Sequence, residues 1–156
     1  MTDDVFAHTY IAKDLSADQR AGLLAAGDLA HHEAGHILIE EDEPLDYIFV
    51  ILSGEVAVYL PAELDRESEV SLATLHSREC FGEYSFIDRR PASASVKCKT
   101  PCHLLVLSHA SLKQHLDANP ATGSVVYRNL LESLVQRLRD NNAELDLFRF
   151  SIDVTP

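Results

Sequence analysis

Short hydrophobic runs separated by turn-forming residues dominate the middle of the chain, between positions 36 and 108. Runs of this length, rich in Val, Ile, Leu and Tyr, are typical of β-strands. They predict strands at HILI, YIFVIL, EVAVYL, EVSLAT, ASVKC and HLLVLS. Ser53-Gly54, between the second and third of them, predicts a tight hairpin. Several short strands at close spacing favour a closed or two-layered antiparallel barrel over a parallel sheet.

Helical patterns flank these strands. Upstream, LSADQRAGLLAAG places Ser16 as an N-cap with Gln19 three residues later, a capping-box pattern, and Gly27 is placed to end the helix. Downstream, an apolar stripe recurs at steps of four and three residues, which predicts one long helix. The stripe consists of Tyr127, Leu131, Leu134, Leu138, Asn141, Leu145 and Phe148. Either a homodimer buries it in a symmetric helix pair, or it packs back on the chain's own barrel.

These patterns predict a mostly β fold with flanking helices, a jelly-roll-like β-roll barrel followed by a long C-terminal helix. The length of 156 residues is typical of one domain, here 1–156. Within it we expect an N-terminal helix at about 16–27, the β-roll at about 35–108 and C-terminal helices at about 109–148.

The charge of the chain limits its partners. A formal net charge of -12 disfavours direct binding to DNA or RNA and to anionic membranes, because like charges repel. The longest apolar run, YIFVIL, is far too short to span a bilayer, and the N-terminus lacks the basic and apolar regions of a signal peptide. Cys80, Cys98 and Cys102 are odd in number and lack CxxC spacing, which predicts reduced thiols in the cytoplasm.

The stretch FGEYSFIDRRPASASV, residues 81–96, carries the strongest candidate chemistry. Gly82 lets a backbone approach a ligand closely because it has no Cβ. The Glu83 carboxylate accepts hydrogen bonds, the amides after it face an anion, and Ser93 and Ser95 offer hydroxyl groups. An isolated FGE has a simpler explanation, in which Gly82 only makes a turn and Glu83 only caps it.

The order of these features resembles the cyclic-nucleotide-binding domain family, the sensor half of CRP/FNR-type bacterial regulators. The resemblance covers roughly residues 10–148 and rests on three segments. GHILIEEDEPLDYIFVILSGEVAVY is similar to the family's entry into the β-roll, and FGE at 81–83 to the opening of its phosphate-binding cassette. PASASV at 91–96 stands where the family usually has P-R-A-A-T-V. The family fold implies a ligand held between the cassette and the long C-terminal helix.

The resemblance implies a ligand set: Phe81, Gly82, Glu83 and Tyr84, then Arg89, Arg90, Ala92, Ser93 and Ser95, with Asn141 and Asn142 on the helix. It gives Glu83 the role of binding a ribose hydroxyl. Ala92 replaces the arginine that pairs with the cyclic phosphate in the family, and Arg89 or Arg90 is left to reach in from the turn. Asn141 either meets the purine across a dimer or sets the register of a helix pair. Asp42 and Arg78 replace two turn glycines of the family.

The sequence thus predicts a non-enzymatic regulatory module that binds a small ligand, with cyclic AMP or cyclic GMP as the implied ligand, and signals through a homodimer or a protein partner. We expect no room for a helix-turn-helix domain after RFSIDVTP, and no specific DNA binding. One alternative is a metal-dependent cupin-like enzyme, suggested by HHEAGH at 31–36, although surface histidines ahead of a strand explain that segment better. The other alternative is a degenerate barrel that binds nothing and acts as an interaction module.

Overall fold

A computed structural model describes the backbone of residues 1–153 and the side chains of residues 1–147. The helices are α1 (Thr2–Ala7), α2 (Ala17–Ala25), α3 (Glu83–Asp88), α4 (His109–Ala118) and α5 (Pro120–Asp153). The strands are β1 (Asp28–His32), β2 (Ile37–Ile39), β3 (Tyr47–Ser53), β4 (Glu55–Leu60), β5 (Val70–His76), β6 (Cys80–Phe81), β7 (Ser95–Cys98) and β8 (Cys102–Ser108).

The strands form two antiparallel sheets of four strands each. One sheet has the order β1-β8-β3-β6, and the other has the order β2-β7-β4-β5. Together with the flanking helices and the long α5, they confirm the predicted β-roll with its C-terminal helix. The capping box of α2 is also confirmed, because the Ser16 side chain accepts from the Gln19 amide and the Gln19 side chain accepts from the Ser16 amide.

The central strand β3 separates two hydrophobic cores. Its side chains alternate between the faces of the sheet, as they do in any strand. Ile48, Val50 and Leu52 pack into the core formed with the helices. Phe49 and Ile51 point into the core between the two sheets. Ala92, which belongs to residues 81–96 (the cassette), packs in the same core. Burial on both faces explains why the run YIFVIL is continuously apolar.

One local prediction was wrong, and one strand was missed. Ser53-Gly54 does not make a hairpin, because β3 and β4 belong to different sheets. Gly54 instead has φ +93°, and a Cβ there would lie 2.4 Å from the Pro101 carbonyl oxygen, so the glycine allows a sharp crossing between sheets. His31 and His32 precede β2 but themselves lie in β1, a strand that the sequence did not predict and that pairs with β8. Helix α2 ends at Ala25 with Ala26 as its C-cap, so Gly27 stands just past the helix end, as predicted.

Helix α5 packs its first turns on the barrel and leaves the predicted stripe open. Val126 and Leu130 are fully buried in the helical core. Leu131 is 59% exposed and Leu138 is 61% exposed, so the stripe does not pack back on the barrel. The side chain of Phe148 lies outside the described residues. Within the described part of the chain, no helix has both the length and the apolar character needed to cross a membrane.

Candidate functional site

The cassette begins where β6 turns into α3. Gly82 has φ +88°, in the left-handed region that favours glycine, and a Cβ there would lie 2.4 Å from the Tyr47 carbonyl oxygen. Glycine is therefore required for the cassette to pack against β3, whether or not a ligand is bound. After α3 the chain returns along residues 89–94 to β7. There the Ala92 amide donates to the Glu43 carbonyl at 3.0 Å, and the Ala92 carbonyl accepts from the Asp42 amide at 2.9 Å.

A cavity of about 430 Å³ lies between the cassette, the second sheet and α5. Its apolar floor comes from the sheet β2-β7-β4-β5 and includes Ile39, Val58, Leu75 and Val96. The structure brings seven of the predicted ligand residues to this cavity: Phe81, Gly82, Glu83, Tyr84, Ala92, Ser93 and Asn141. They come from three separate parts of the chain, as a ligand pocket requires.

Four predicted residues lie elsewhere. Ser95 is 3% exposed, and its hydroxyl accepts from the Glu41 amide at 2.9 Å, so it holds the β-roll together. Arg89 and Arg90 are exposed and line a separate groove on the other side of α3. Asn142 is exposed and does not line the cavity that its neighbour Asn141 reaches.

The Glu83 carboxylate already has a partner, Arg137 of α5. Glu83 is 1% exposed, and Arg137 donates one guanidinium nitrogen to its Oε1 and another to the carbonyl of Cys80. The sequence prediction missed Arg137. The available signal was its position one helical turn before Asn141, which puts both side chains on one face of α5. This ion pair connects the cassette to the C-terminal helix across 54 residues of sequence.

Burial controls the ionisation of the pair. Desolvation raises the pKa of Glu83 above its ordinary value, and the Arg137 charge opposes that rise. Desolvation lowers the pKa of Arg137, but the Glu83 carboxylate together with Cys80, Tyr84 and Glu79 outweighs it and leaves that pKa raised. The Arg137 Nε is buried and makes no hydrogen bond among the described residues. The guanidinium is thus fixed in place with one donor still unused.

The cavity carries an excess of negative charge. Besides Glu83, the carboxylates of Glu79, Asp140 and Glu144 line it, and no described cation forms an ion pair with these three. Arg137 is the single Lys or Arg among the described lining residues, and it is committed to Glu83. Ala92, which is 4% exposed, adds no charge at the position where the family arginine is expected.

Two further departures from the family pattern occupy the backbone conformation that glycine favours. Asp42 has φ +65° and Arg78 has φ +85°. Asp adopts this region more readily than most residues. Arg78 is held by a hydrogen bond from its Nε to the His8 carbonyl at 2.7 Å. Both residues thus adopt a left-handed backbone conformation without being glycine.

The histidines of HHEAGH form stacked pairs. His31 stacks on His103 with ring centroids 4.0 Å apart, and His32 stacks on His36 at 4.2 Å. Within the described residues, no three His, Cys, Asp or Glu side chains are grouped in a way that suits a metal ion. The three cysteines are buried free thiols, and burial raises the pKa of Cys80 to about 12.

Comparison with known proteins agrees with this architecture. The family model described as "Cyclic nucleotide-binding domain" matches residues 29–119. A cyclic nucleotide-binding domain of Methylobacillus flagellatus has a similar structure, with a TM-score of 0.81, 27% identity, and coverage of 92% of this chain and 83% of that one.

Two curated relatives are longer proteins. The potassium channel AKT2 of Oryza sativa is 33% identical over 99 residues, covering 64% of this chain and 11% of the channel. The CRP-like cAMP-activated global transcriptional regulator of Mycobacterium tuberculosis is 25% identical over 143 residues, covering 92% of this chain and 61% of the regulator. The chain thus spans less than two thirds of either relative. The family match covers more than half of the chain, so the protein belongs to the cyclic nucleotide-binding domain family.

Proposed function

We propose that this chain is a single-domain, non-enzymatic regulatory module that binds a cyclic nucleotide or another compact polar ligand in the cassette cavity. One observation carries the proposal: the cavity is walled by the cassette, the β-roll and α5 at once. A ligand held there touches both the barrel and the helix that leaves it. Three buried thiols without a disulfide fit a cytoplasmic protein.

The ligand site combines an apolar floor with a few polar groups, which is the usual composition of a small-molecule site. Glu83, Tyr84, Ser93 and Asn141 supply the polar groups. The M. tuberculosis relative is named as cAMP-activated, which supports cyclic AMP as the first ligand to test. We expect weaker cyclic AMP binding here than in a relative with an arginine at the Ala92 position. The cyclic phosphate lacks a free cation to pair with, and three unpaired carboxylates repel it.

Adjacent asparagines give the binding experiment a matched control. Calorimetry with cyclic AMP and cyclic GMP compares the wild type with Asn141→Ala and Asn142→Ala. We expect Asn141→Ala to weaken binding by about fivefold, the loss of one hydrogen bond of roughly 1 kcal/mol. Asn142→Ala is expected to bind as the wild type does. Binding that Asn141→Ala leaves unchanged would contradict the proposed position of the ligand. Heat release from neither nucleotide would favour the alternative of a module that binds no nucleotide.

We further propose that α5 pairs with α5 of a second copy. The stripe of Tyr127, Leu131, Leu134 and Leu138 stays partly or largely exposed in the isolated chain. A symmetric helix pair buries such a stripe and removes its apolar surface from water. Light scattering on the wild type, Leu134→Glu and Gln136→Glu tests this. We expect a dimer for the wild type and Gln136→Glu, and a monomer for Leu134→Glu. A monomeric wild type refutes the pairing.

A further inference from the structure

The two arginines before Pro91 face a groove that is separate from the ligand cavity. This rear groove, about 510 Å³ in volume, lies between α3, the start of α4 and the loop before β3. Its charged and aromatic lining consists of Arg89, Arg90, Lys113, His109, Phe86 and Asp46. Three cationic side chains face one carboxylate there, on a chain whose net charge is -12.

The positive charge of the rear groove is only partly neutralised. No described carboxylate forms an ion pair with the guanidinium of Arg89 or Arg90. Lys113 pairs with Asp117 at 2.6 Å, but both side chains are more than half exposed, and such a surface pair contributes little. That bond raises the pKa of Lys113, and the nearby Arg89 charge opposes the rise. Cations gathered in this way repel each other, and an anion bound between them relieves the repulsion.

The backbone conformation of Arg89 does not itself favour an arginine. Arg89 ends α3 in the left-handed conformation, with φ 59° and ψ 24°. Glycine is the favoured residue at such a helix end, and a side chain there is disfavoured. Strained positions of this kind cluster at functional sites. Local folding does not require an arginine at this position, and its exposed charge is available to a partner.

We propose that the rear groove docks an acidic segment of a partner protein. Charge complementarity selects the occupant, since the net charge of this acidic chain repels such a segment, whereas the groove gathers three cations. The aromatic ring of Phe86 gives the segment an apolar surface beside the cations. Leu45 and Ser85 line both the cavity and the rear groove, so α3 and the loop before β3 form a shared wall.

Fluorescence anisotropy with a fluorescein-labelled deca-glutamate peptide tests the proposal on the full chain at low salt. The double variant combines Arg89→Gly and Arg90→Ala in one chain. The control is Lys99→Gln, which removes an exposed cation outside the groove. Arg89→Gly removes the charge and suits the backbone, so we expect the thermal midpoint of the double variant not to fall. We expect saturable binding by the wild type, weakened roughly tenfold in the double variant, because each exposed charge contact is worth about two- to fivefold. Lys99→Gln is expected to bind as the wild type does.

The same peptide added to ¹⁵N-labelled protein shows where it binds. We expect amide shifts concentrated in residues 85–90 and 109–113. Three results overturn the proposal: no saturable binding, equal binding by the double variant, or shifts confined to other surfaces. Displacement of the peptide by inorganic phosphate at equal concentration also overturns it, because the groove is then a small-anion site and not a peptide site.

Discussion

Removing Arg137 tests whether the ion pair between the cassette and α5 holds the site together. Arg137→Met keeps most of the side-chain length and removes the guanidinium from the Glu83 carboxylate. The Glu83 side chain is 2% exposed and that of Arg137 is 21% exposed, so solvent screens the pair only weakly. An unpaired buried charge of this kind costs about 3–5 kcal/mol. For a chain of this size, that cost lowers the thermal midpoint by roughly 10 °C.

The loss of stability caused by Arg137→Met depends on pH in a predictable direction. Because burial raises the pKa of Glu83 in the folded state, the stability contributed by this group is fully present below its unfolded pKa. It is lost as the pH rises through the folded pKa. Without Arg137 the pKa of Glu83 in the folded state rises further. The variant therefore goes on losing stability up to a higher pH than the wild type does. The deficit of Arg137→Met relative to the wild type is therefore small near pH 4.5 and grows toward pH 8.

A double-mutant cycle isolates the pair. Chemical denaturation across this pH range compares the wild type, Arg137→Met, Glu83→Gln and the double variant, with Arg139→Met as an exposed control two residues away. We expect the double variant to recover most of the loss, since Gln carries no charge. A deficit that does not change with pH, or one no larger than that of Arg139→Met, would refute the reasoning.

Five other substitutions have expected outcomes. Ala92→Arg should strengthen cyclic AMP binding about ten- to a hundredfold in calorimetry, because a charge-assisted bond is worth ~1.5–3 kcal/mol, whereas Arg90→Ala should change nothing. Gly82→Ala should lower the free energy of unfolding by more than about 2 kcal/mol, since its Cβ meets the Tyr47 carbonyl. Ser16→Ala should cost about 1 kcal/mol in the same measurement through loss of the α2 cap. Burial and the neighbouring His31 lower the pKa of His103. Stability should therefore fall as the pH drops below about 6.5, the ordinary pKa of histidine. In thermal scans, His103→Gln should make that fall smaller.

Local signals made much of the fold predictable. The capping box of α2 uses two residues three positions apart, so it is readable from the sequence and needs no tertiary contact. The central strand β3 is continuously apolar because both its faces are buried, and the sequence carries that pattern directly. The strand β1 was missed because Asp28–His32 carries two histidines and lies at a sheet edge. Its pairing with β8 overrides its weak intrinsic propensity.

The residues of the candidate site also fall into those that the sequence predicted and those that only the structure revealed. Gly82 and Glu83 were predicted because FGE resembles the opening of the family's cassette, and both line the cavity. Arg137 was missed because its contact with Glu83 spans 54 positions, and no local pattern marks the partner of a buried carboxylate. Arg89 and Arg90 stand next to the cassette in sequence, yet the left-handed turn at Arg89 leads the chain away from the cavity. Residue type and short spacing thus determined the elements and the cassette. The direction of each side chain and the partner of each charge depended on packing between segments distant in sequence, which only the tertiary structure sets.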